Sequence, residues 1–494
     1  MITFHYDKGT GKGQIISDLV VMTLLKKQFS IKNEAAKFMK KFGRKIPDKK
    51  FAIDKMGRFD FGLYKDILTF LKEENFKTID FTDEFKTHLR CGVGVGEIFD
   101  GFKFPHRDFQ KEIVELCLKH GRGTIKSATG SGKSFCVASL IENFWRNRPS
   151  RKFKALIVVP GISLVSQLVG DFENYGVNFS YSAWTGTVKL QDSDVVIVNT
   201  ENLVSKIKDN PWVFDVDLLI VDECHRVTTT SKISKVVSKF KTPNKFGFTG
   251  TLPKDKYETW KIIGTFGPLL FEKNSKELRD ENILTDVSVK MVKLIHPEHT
   301  IPKKSKKKDK SPTDDYLAEL NFIYNSKKRN EIIKKLANKL TNNTLILVNH
   351  LEHGDLLEKE LESLIDKKII YIKGDVDLQN RMDSIQNMEN ENNIVCIAMS
   401  SIFSTGINIR NLHNVIFASP SKSRVRNLQS IGRGLRKGDD KTSCRLFDIG
   451  DDLSWKSRKN YTLLHMIERI KLYNEEGFKY KLVRISTDGN SKGT

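Results

Sequence analysis

The sequence predicts an α/β protein with two parallel-sheet domains, and three observations predict it. Short apolar runs alternate with helical stretches from Phe104 to about Phe271, and the alternation resumes after Ile332. Strands alternating with helices in this way build doubly wound sheets. The runs are continuously apolar, as strands buried on both faces of a parallel sheet are. In the first half, a glycine-rich turn (Ser127 to Ser134) and two adjacent carboxylates (Asp222 and Glu223) follow such runs.

At roughly 150 residues per domain, 494 residues suggest about three domains. Hydrophobic residues make up 39% and charged residues 29%, which excludes global disorder and collagen-like structure. No stretch approaches 18 unbroken apolar residues, so no membrane partner is expected. Met1 to Lys12 holds no apolar signal core, which points to the cytoplasm. Lys plus Arg is 83 against 61 for Asp plus Glu, a net charge of +22. A surplus this large favours polyanions, chiefly nucleic acid. The six cysteines, Cys91, Cys117, Cys136, Cys224, Cys396 and Cys444, form no Cys-x-x-Cys pair. That spacing suits neither zinc nor a disulfide framework.

Taken in order, the first ninety or so residues read as basic and irregular. A helix is expected from Tyr64 to Asn75, with Ile67, Leu68 and Leu71 on one face. Gly92, Gly94 and Gly96 mark a domain joint. Ala155–Val159, Asp194–Val198 and Asp217–Val221 are strands of the first α/β domain. The lysine run from Lys303 to Lys310 reads as a solvated loop. In the second domain, Ile332, Ile333, Leu336, Ala337 and Leu340 mark an amphipathic helix. Strands follow at Thr344–Val348, Lys368–Ile372, Ile394–Ala398 and Val415–Ala418, with a helix from Leu356 to Ile365. The tail reads as a helix, Tyr461 to Tyr473, and a strand, Lys479 to Ile485.

The sharpest local signal is Ser127-Ala-Thr129-Gly130-Ser131-Gly132-Lys133-Ser134, opening a helix. Glycines let backbone N–H groups wrap a phosphate, and the helix N-terminus adds partial positive charge. Lys133 would reach the β- and γ-phosphates of ATP and Ser134 would ligate Mg²⁺. A strict phosphate loop has Gly where Ser127 stands. The apolar strand ending in Asp222-Glu223 supplies the partner: Asp222 to hold Mg²⁺ by way of water, Glu223 to polarise the attacking water.

Asp222-Glu223-Cys224-His225 resembles motif II of the superfamily 2 helicases, and Ala128 to Ser134 is similar to their motif I. Further motifs follow the family's order. Arg107-Asp-Phe109-Gln110 resembles the adenine-recognition motif. Pro160-Gly161 through Gln167 resembles the first DNA-contacting motif, and Thr200 is assigned to DNA contact with it. Thr249-Gly250-Thr251 resembles motif III, which couples ATP state to DNA grip. Ser404-Thr405-Gly406-Ile-Asn408 resembles motif V, with Asn408 where many relatives carry Asp. Gln429-x-x-Gly432-Arg433-x-x-Arg436 resembles motif VI.

The resemblance implies two RecA-like parallel-sheet lobes with a small N-terminal α+β DNA-binding domain. It implies that Arg433 and Arg436 act as arginine fingers in cis. It also implies that Gly406 contacts nucleotide, that Thr405 contacts DNA and that His225 links motif II to Gln429. The expected domains are 1–95 for DNA binding, 96–285 and 286–450 for the lobes, and 451–494 for a helix–strand extension.

Ile402 to Arg436, Gly374-Asp375-Val-Asp377 before Arg381, Gly57-Arg58 through Phe61-Gly62-Leu63, and Arg469 to Lys481 are similar to the phage UvsW-type helicases. That narrower resemblance implies a monomeric ATP-driven motor, RecG-like in function, on single-stranded and branched DNA. It would regress forks, migrate Holliday junctions and unwind D-loops and R-loops, the last bringing RNA, beside other replication and recombination proteins. An RNA helicase of the same fold and the motor subunit of a restriction or helicase–nuclease system remain alternatives. The acidic residues Asp48 and Asp54 beside Lys55 are too loose for a nuclease site.

Overall fold

The computed structural model describes residues 1–36, 43, 46–89, 97–147, 152–297, 312–364, 366–373, 378–400, 409, 411–420, 443–454 and 459–488. Contacts divide the chain into two compact units: 1–128 with 132–273, and 274–494 with 129–131.

The first unit opens with a small α/β region, as the family resemblance implied, where the residue pattern alone read as irregular. A mixed four-stranded sheet runs in the order Arg58–Asp60, Lys12–Ile16, Ile2–Asp7, Ile79–Phe81. Helices Leu19–Gln28 and Tyr64–Glu73 cover it, the second burying Ile67 and Leu71. The strands escaped sequence reading because most are only three to six residues long, interrupted by Lys and Gly. Their core is aromatic: Phe4, Phe59, Phe61 and Phe85 are fully buried, and Phe4 and Phe61 each meet Phe85 within 5.5 Å.

That core continues into the neighbouring α/β domain through Trp260 and Ile263 of the Lys256–Phe266 helix. Gly62 makes the approach possible, since a Cβ there would lie 2.0 Å from the Ile263 carbonyl oxygen. Arg122 lies over the Phe61 ring at 4.9 Å, and Lys261 Nζ donates to Asp60 at 2.8 Å. The N-terminal region is thus seated on the first domain by a shared apolar core.

The first large domain is a seven-stranded parallel sheet in the order Leu269–Lys273, Arg122–Ser127, Asn244–Thr249, Leu218–Asp222, Ala155–Val159, Val195–Asn199, Tyr181–Trp184. The apolar runs 218–221, 155–159 and 195–198 on three adjacent strands are buried at every position. Each fully buried Val, Leu or Ile contributes about 1.5–3 kcal/mol against staying in water, so these runs fix the sheet's middle. Helices Lys133–Arg146 and Ile162–Tyr175 make crossovers, and Asp108–His120 leads into the first strand and packs on Lys133–Arg146.

The second unit holds another seven-stranded parallel sheet, ordered Lys368–Ile372, Ile394–Met399, Thr344–Val348, Asn414–Phe417, Ser443–Asp452, Asp286–Ile295, Tyr480–Ser486. The Leu351–Leu361 helix starts and ends earlier than expected. Two ten-residue strands, Asp286–Ile295 and Ser443–Asp452, and the Pro312–Asn325 helix add to the elements read from sequence. Ser443–Asp452 hides its nature because it buries acids. Asp448 accepts from Arg469 Nε at 2.8 Å and Tyr473 Oη at 2.6 Å, and Asp451 from Arg329 Nε at 2.8 Å. Cys117, Cys136, Cys224, Cys396 and Cys444 are free and buried. Among the described residues, no helix is long and apolar enough to cross a membrane.

Candidate functional site

In a parallel sheet, every strand delivers its carboxyl end to the same edge, where ligands of such sheets bind. Five of the first domain's strands carry candidate residues there. Ser127 leads into the glycine-rich turn, Thr249 ends the next strand, and Asp222 the next. Val159 then leads into Pro160-Gly161, and Asn199 into Thr200. Register ties them together: Thr249 pairs with Lys126, Asp222 with Phe248, and Asn199 with Val159.

The turn has the expected backbone. Gly130 and Gly132 take φ of 89° and 87°, a region closed to most side chains. A Cβ on Gly132 would also lie 2.5 Å from Gln110 Nε2, so Gln110 is seated against the loop. Gln110 is buried and its Oε1 accepts from the Arg107 backbone N–H at 3.0 Å. Lys133 heads its helix and folds back, Nζ donating to the Ser127 carbonyl at 3.0 Å. Of the aromatics upstream of Gln110, Phe102 is buried whereas Phe104 is half exposed.

Glu223 carries a strained backbone and the neighbouring Asp222 carboxyl is raised. Glu223 has φ of 50°, uncommon for a residue with a side chain and typical of functional turns. Burial, and then the Glu223 charge, push the Asp222 carboxyl up to about 6, against the opposing pull of Lys133. Ser134 and Asp222 offer oxygen donors, the set a hard divalent cation takes, and the raised Asp222 is the excess negative charge such an ion would neutralise. Among the described residues, no group of three or more His, Cys, Asp or Glu is gathered to hold a metal alone. Magnesium usually keeps water and substrate phosphates among its ligands beside one or two protein oxygens.

His225 joins motif II to motif III. Its Nδ1 lies 2.9 Å from Thr249 Oγ1 and 3.2 Å from Glu223 Oε2. The Thr249 hydroxyl spends its proton on the Thr251 carbonyl at 2.8 Å. His225 then donates from Nδ1 to that hydroxyl. The sequence-based link from His225 to Gln429 lies outside the described residues; the described link runs to Thr249. Thr200 Oγ1 donates to the Val159 carbonyl at 3.2 Å, fixing the start of the Pro160 turn. Gln167 lies on the Ile162–Tyr175 helix with Oε1 buried.

One contact had no sequence signal: Tyr175 Oη lies 2.8 Å from Ser134 Oγ, across 41 residues. Cys91, Gly92, Gly94, Gly96, the lysine run, Gly374 to Asp377, Ser404 to Asn408, Gln429, Gly432, Arg433 and Arg436 lie outside the described residues. Asp54 is occupied locally, accepting from Arg58 Nε at 2.7 Å.

The family model for the type III restriction enzyme res subunit matches residues 103–254, and the helicase conserved C-terminal domain matches 327–438. The chain is 30% identical over 418 residues to the ATP-dependent DNA helicase uvsW of Enterobacteria phage T4, covering 79% of each chain. Its fold is similar to that of the ATP-dependent type ISP restriction-modification enzyme LlaBIII bound to DNA, with TM-score 0.58, 15% identity, and coverage of 87% of this chain and 36% of that one. It is similar also to S. cerevisiae Dbp5 bound to RNA and ADP BeF3, with TM-score 0.54, 13% identity, and coverage of 77% and 90%. Neither fold likeness chooses between DNA and RNA. The identity and coverage with the phage protein do decide the family: this chain belongs to the UvsW family of superfamily 2 helicases.

Proposed function

We propose that this helicase hydrolyses ATP to move along DNA and acts on branched substrates: stalled forks, Holliday junctions, D-loops and R-loops. The observation that carries the reading is the His225–Thr249 bond, which joins the acid pair to the motif expected to couple ATP state to DNA grip. The net charge of +22 and the likeness to the phage T4 ATP-dependent DNA helicase support DNA as the track.

In this reading Arg107 and Gln110 hold the adenine, and Thr129 to Gly132 wrap the phosphates. Lys133 releases the Ser127 carbonyl and turns to the β- and γ-phosphates. When bound, magnesium would neutralise phosphate charge between the Ser134 hydroxyl and the Asp222 carboxylate. Glu223, held in its strained turn and steadied by His225, orients the lytic water and takes its proton. Pro160, Gly161, Gln167 and Thr200 grip the strand backbone, largely without reading sequence. Arg433, Arg436, Gln429, Thr405 and Gly406 keep the roles that the resemblance gives them. Residues 1–95 add duplex or junction grip, and the chain works as a monomer.

The test is hydrolysis and unwinding with single strands, forks, four-way junctions and RNA duplexes in parallel. Stimulation by DNA, with forks and junctions unwound best, is expected. Preferential stimulation and unwinding of RNA would make the chain an RNA helicase of the same superfamily.

A further inference from the structure

We propose that Tyr175 is a positioning residue for nucleotide-bound magnesium, setting the direction of the Ser134 hydroxyl. The inference rests on the nucleotide-site reading above.

The geometry is direct: Ser134 Oγ and Tyr175 Oη are 2.8 Å apart. A hydroxyl that ligates a cation must turn an oxygen lone pair to the metal and send its proton elsewhere. The cation's charge strengthens that O–H as a donor. Either hydroxyl can donate in this pair; with a cation bound, Ser134 donates to Tyr175 Oη, and the bond then holds the rotamer in which Ser134 presents a lone pair to the metal.

The phenol is also firmly mounted. Its ring meets Phe135 edge-on at 4.9 Å and Phe104 at 6.3 Å. Its carbonyl accepts from the Lys103 N–H at 3.1 Å. It ends the Ile162–Tyr175 helix, which Gly176 closes with φ of 71°. That helix is anchored by Val165, Leu168 and Phe172, all buried. Swinging the hydroxyl away would break aromatic packing and a helix end together. Phenylalanine would keep that ring packing and lose the hydroxyl.

Binding of fluorescent mant-ADP to the full chain, in excess Mg²⁺ and in EDTA, tests this without turnover. The wild type should bind more tightly with Mg²⁺. Tyr175→Phe should match it in EDTA but lose about 2- to 10-fold of the magnesium enhancement, the worth of one hydrogen bond. Ser134→Ala should lose at least as much, and the double variant should equal Ser134→Ala, because Tyr175 acts through that hydroxyl. An unchanged magnesium enhancement in Tyr175→Phe overturns the proposal. So does a double variant whose losses simply add, or a Tyr175→Phe chain weakened equally in both buffers, since either outcome makes Tyr175 a packing residue. Lys133→Ala serves as the control: if it binds mant-ADP like the wild type, the nucleotide-site reading itself fails, and this inference with it.

Discussion

Two aspartates sit at the ends of strands in the two seven-stranded sheets, and the chain treats them oppositely. Asp222 ends Leu218–Asp222, and Asp451 is the last but one residue of Ser443–Asp452. Burial alone would raise both. At Asp451, Arg329 and His296 outweigh it and hold the carboxyl down to about 2. At Asp222, the adjacent Glu223 adds to burial, Lys133 compensates only in part, and the carboxyl rises to about 6. One acid is neutralised by its own chain and belongs to the fold. The other keeps a charge that its neighbours do not cancel, the state of a site built to receive a ligand's charge.

The largest expected effect breaks the first side of this comparison. Glu223→Gln should lower kcat by about 10²–10⁴ while nucleotide affinity stays within about twofold. Near wild-type turnover would rank the first sheet's acids with the structural ones. Next comes the second side. Arg329→Met strips Asp451 of its buried guanidinium, leaving His296, and should cost about 3–5 kcal/mol in urea unfolding. Adding Asp451→Leu should recover most of that, because removing both charges is far cheaper than stranding one.

A buried cation sharpens the comparison from the other sign. Lys245 is pushed down to about 7, first by burial and then by Arg122, its neighbour on the adjacent strand. The unfolded chain keeps this proton up to about pH 10.4, whereas the folded chain gives it up near 7. Stability therefore rises with pH across that window, and the penalty is full below it. Lys245→Met should stabilise the protein by about 1–3 kcal/mol at pH 6, with the gain fading toward pH 10 in melts across that range. A constant gain would mean that packing, not charge, limits the site. The smallest effect concerns Gly161, where an added Cβ would meet nothing within 4 Å. Gly161→Ala should change stability by less than about 1 kcal/mol yet weaken single-stranded DNA binding, which filter or anisotropy titration would read. Unchanged DNA affinity would free that turn from the strand path.

Legibility in the sequence followed the range of the interaction. The continuously apolar strands, such as Ala155–Val159 and Thr344–Val348, could be read because burial on both faces writes itself into consecutive residues. Lys133, Asp222 and Glu223 stood out because phosphate and water chemistry would need those types at that spacing, and the parallel strands bring them to one edge of the sheet. Ser443–Asp452 could not, since Asp448 and Asp451 look solvent-facing until Arg469 and Arg329 are brought to them. The N-terminal domain's α+β character came from the family resemblance, and its strands could not be placed because they are too short to show a period. Tyr175 was missed because only the folded helix carries its hydroxyl to Ser134.

Asp222→Asn is the most direct measurement of the contrast. Its stability should be compared with the wild type's in nucleotide-free buffer with EDTA from pH 4 to 7, alongside ATP turnover with single-stranded DNA. Because the folded carboxyl lies above its ordinary value, its charge costs stability once the pH passes upward through about 4 to 6. The variant should therefore gain about 1–2 kcal/mol at pH 7, lose that gain toward pH 4, and turn over no ATP. A variant that is less stable at pH 7 and hydrolyses ATP like the wild type would make Asp222 a structural acid of the Asp451 kind.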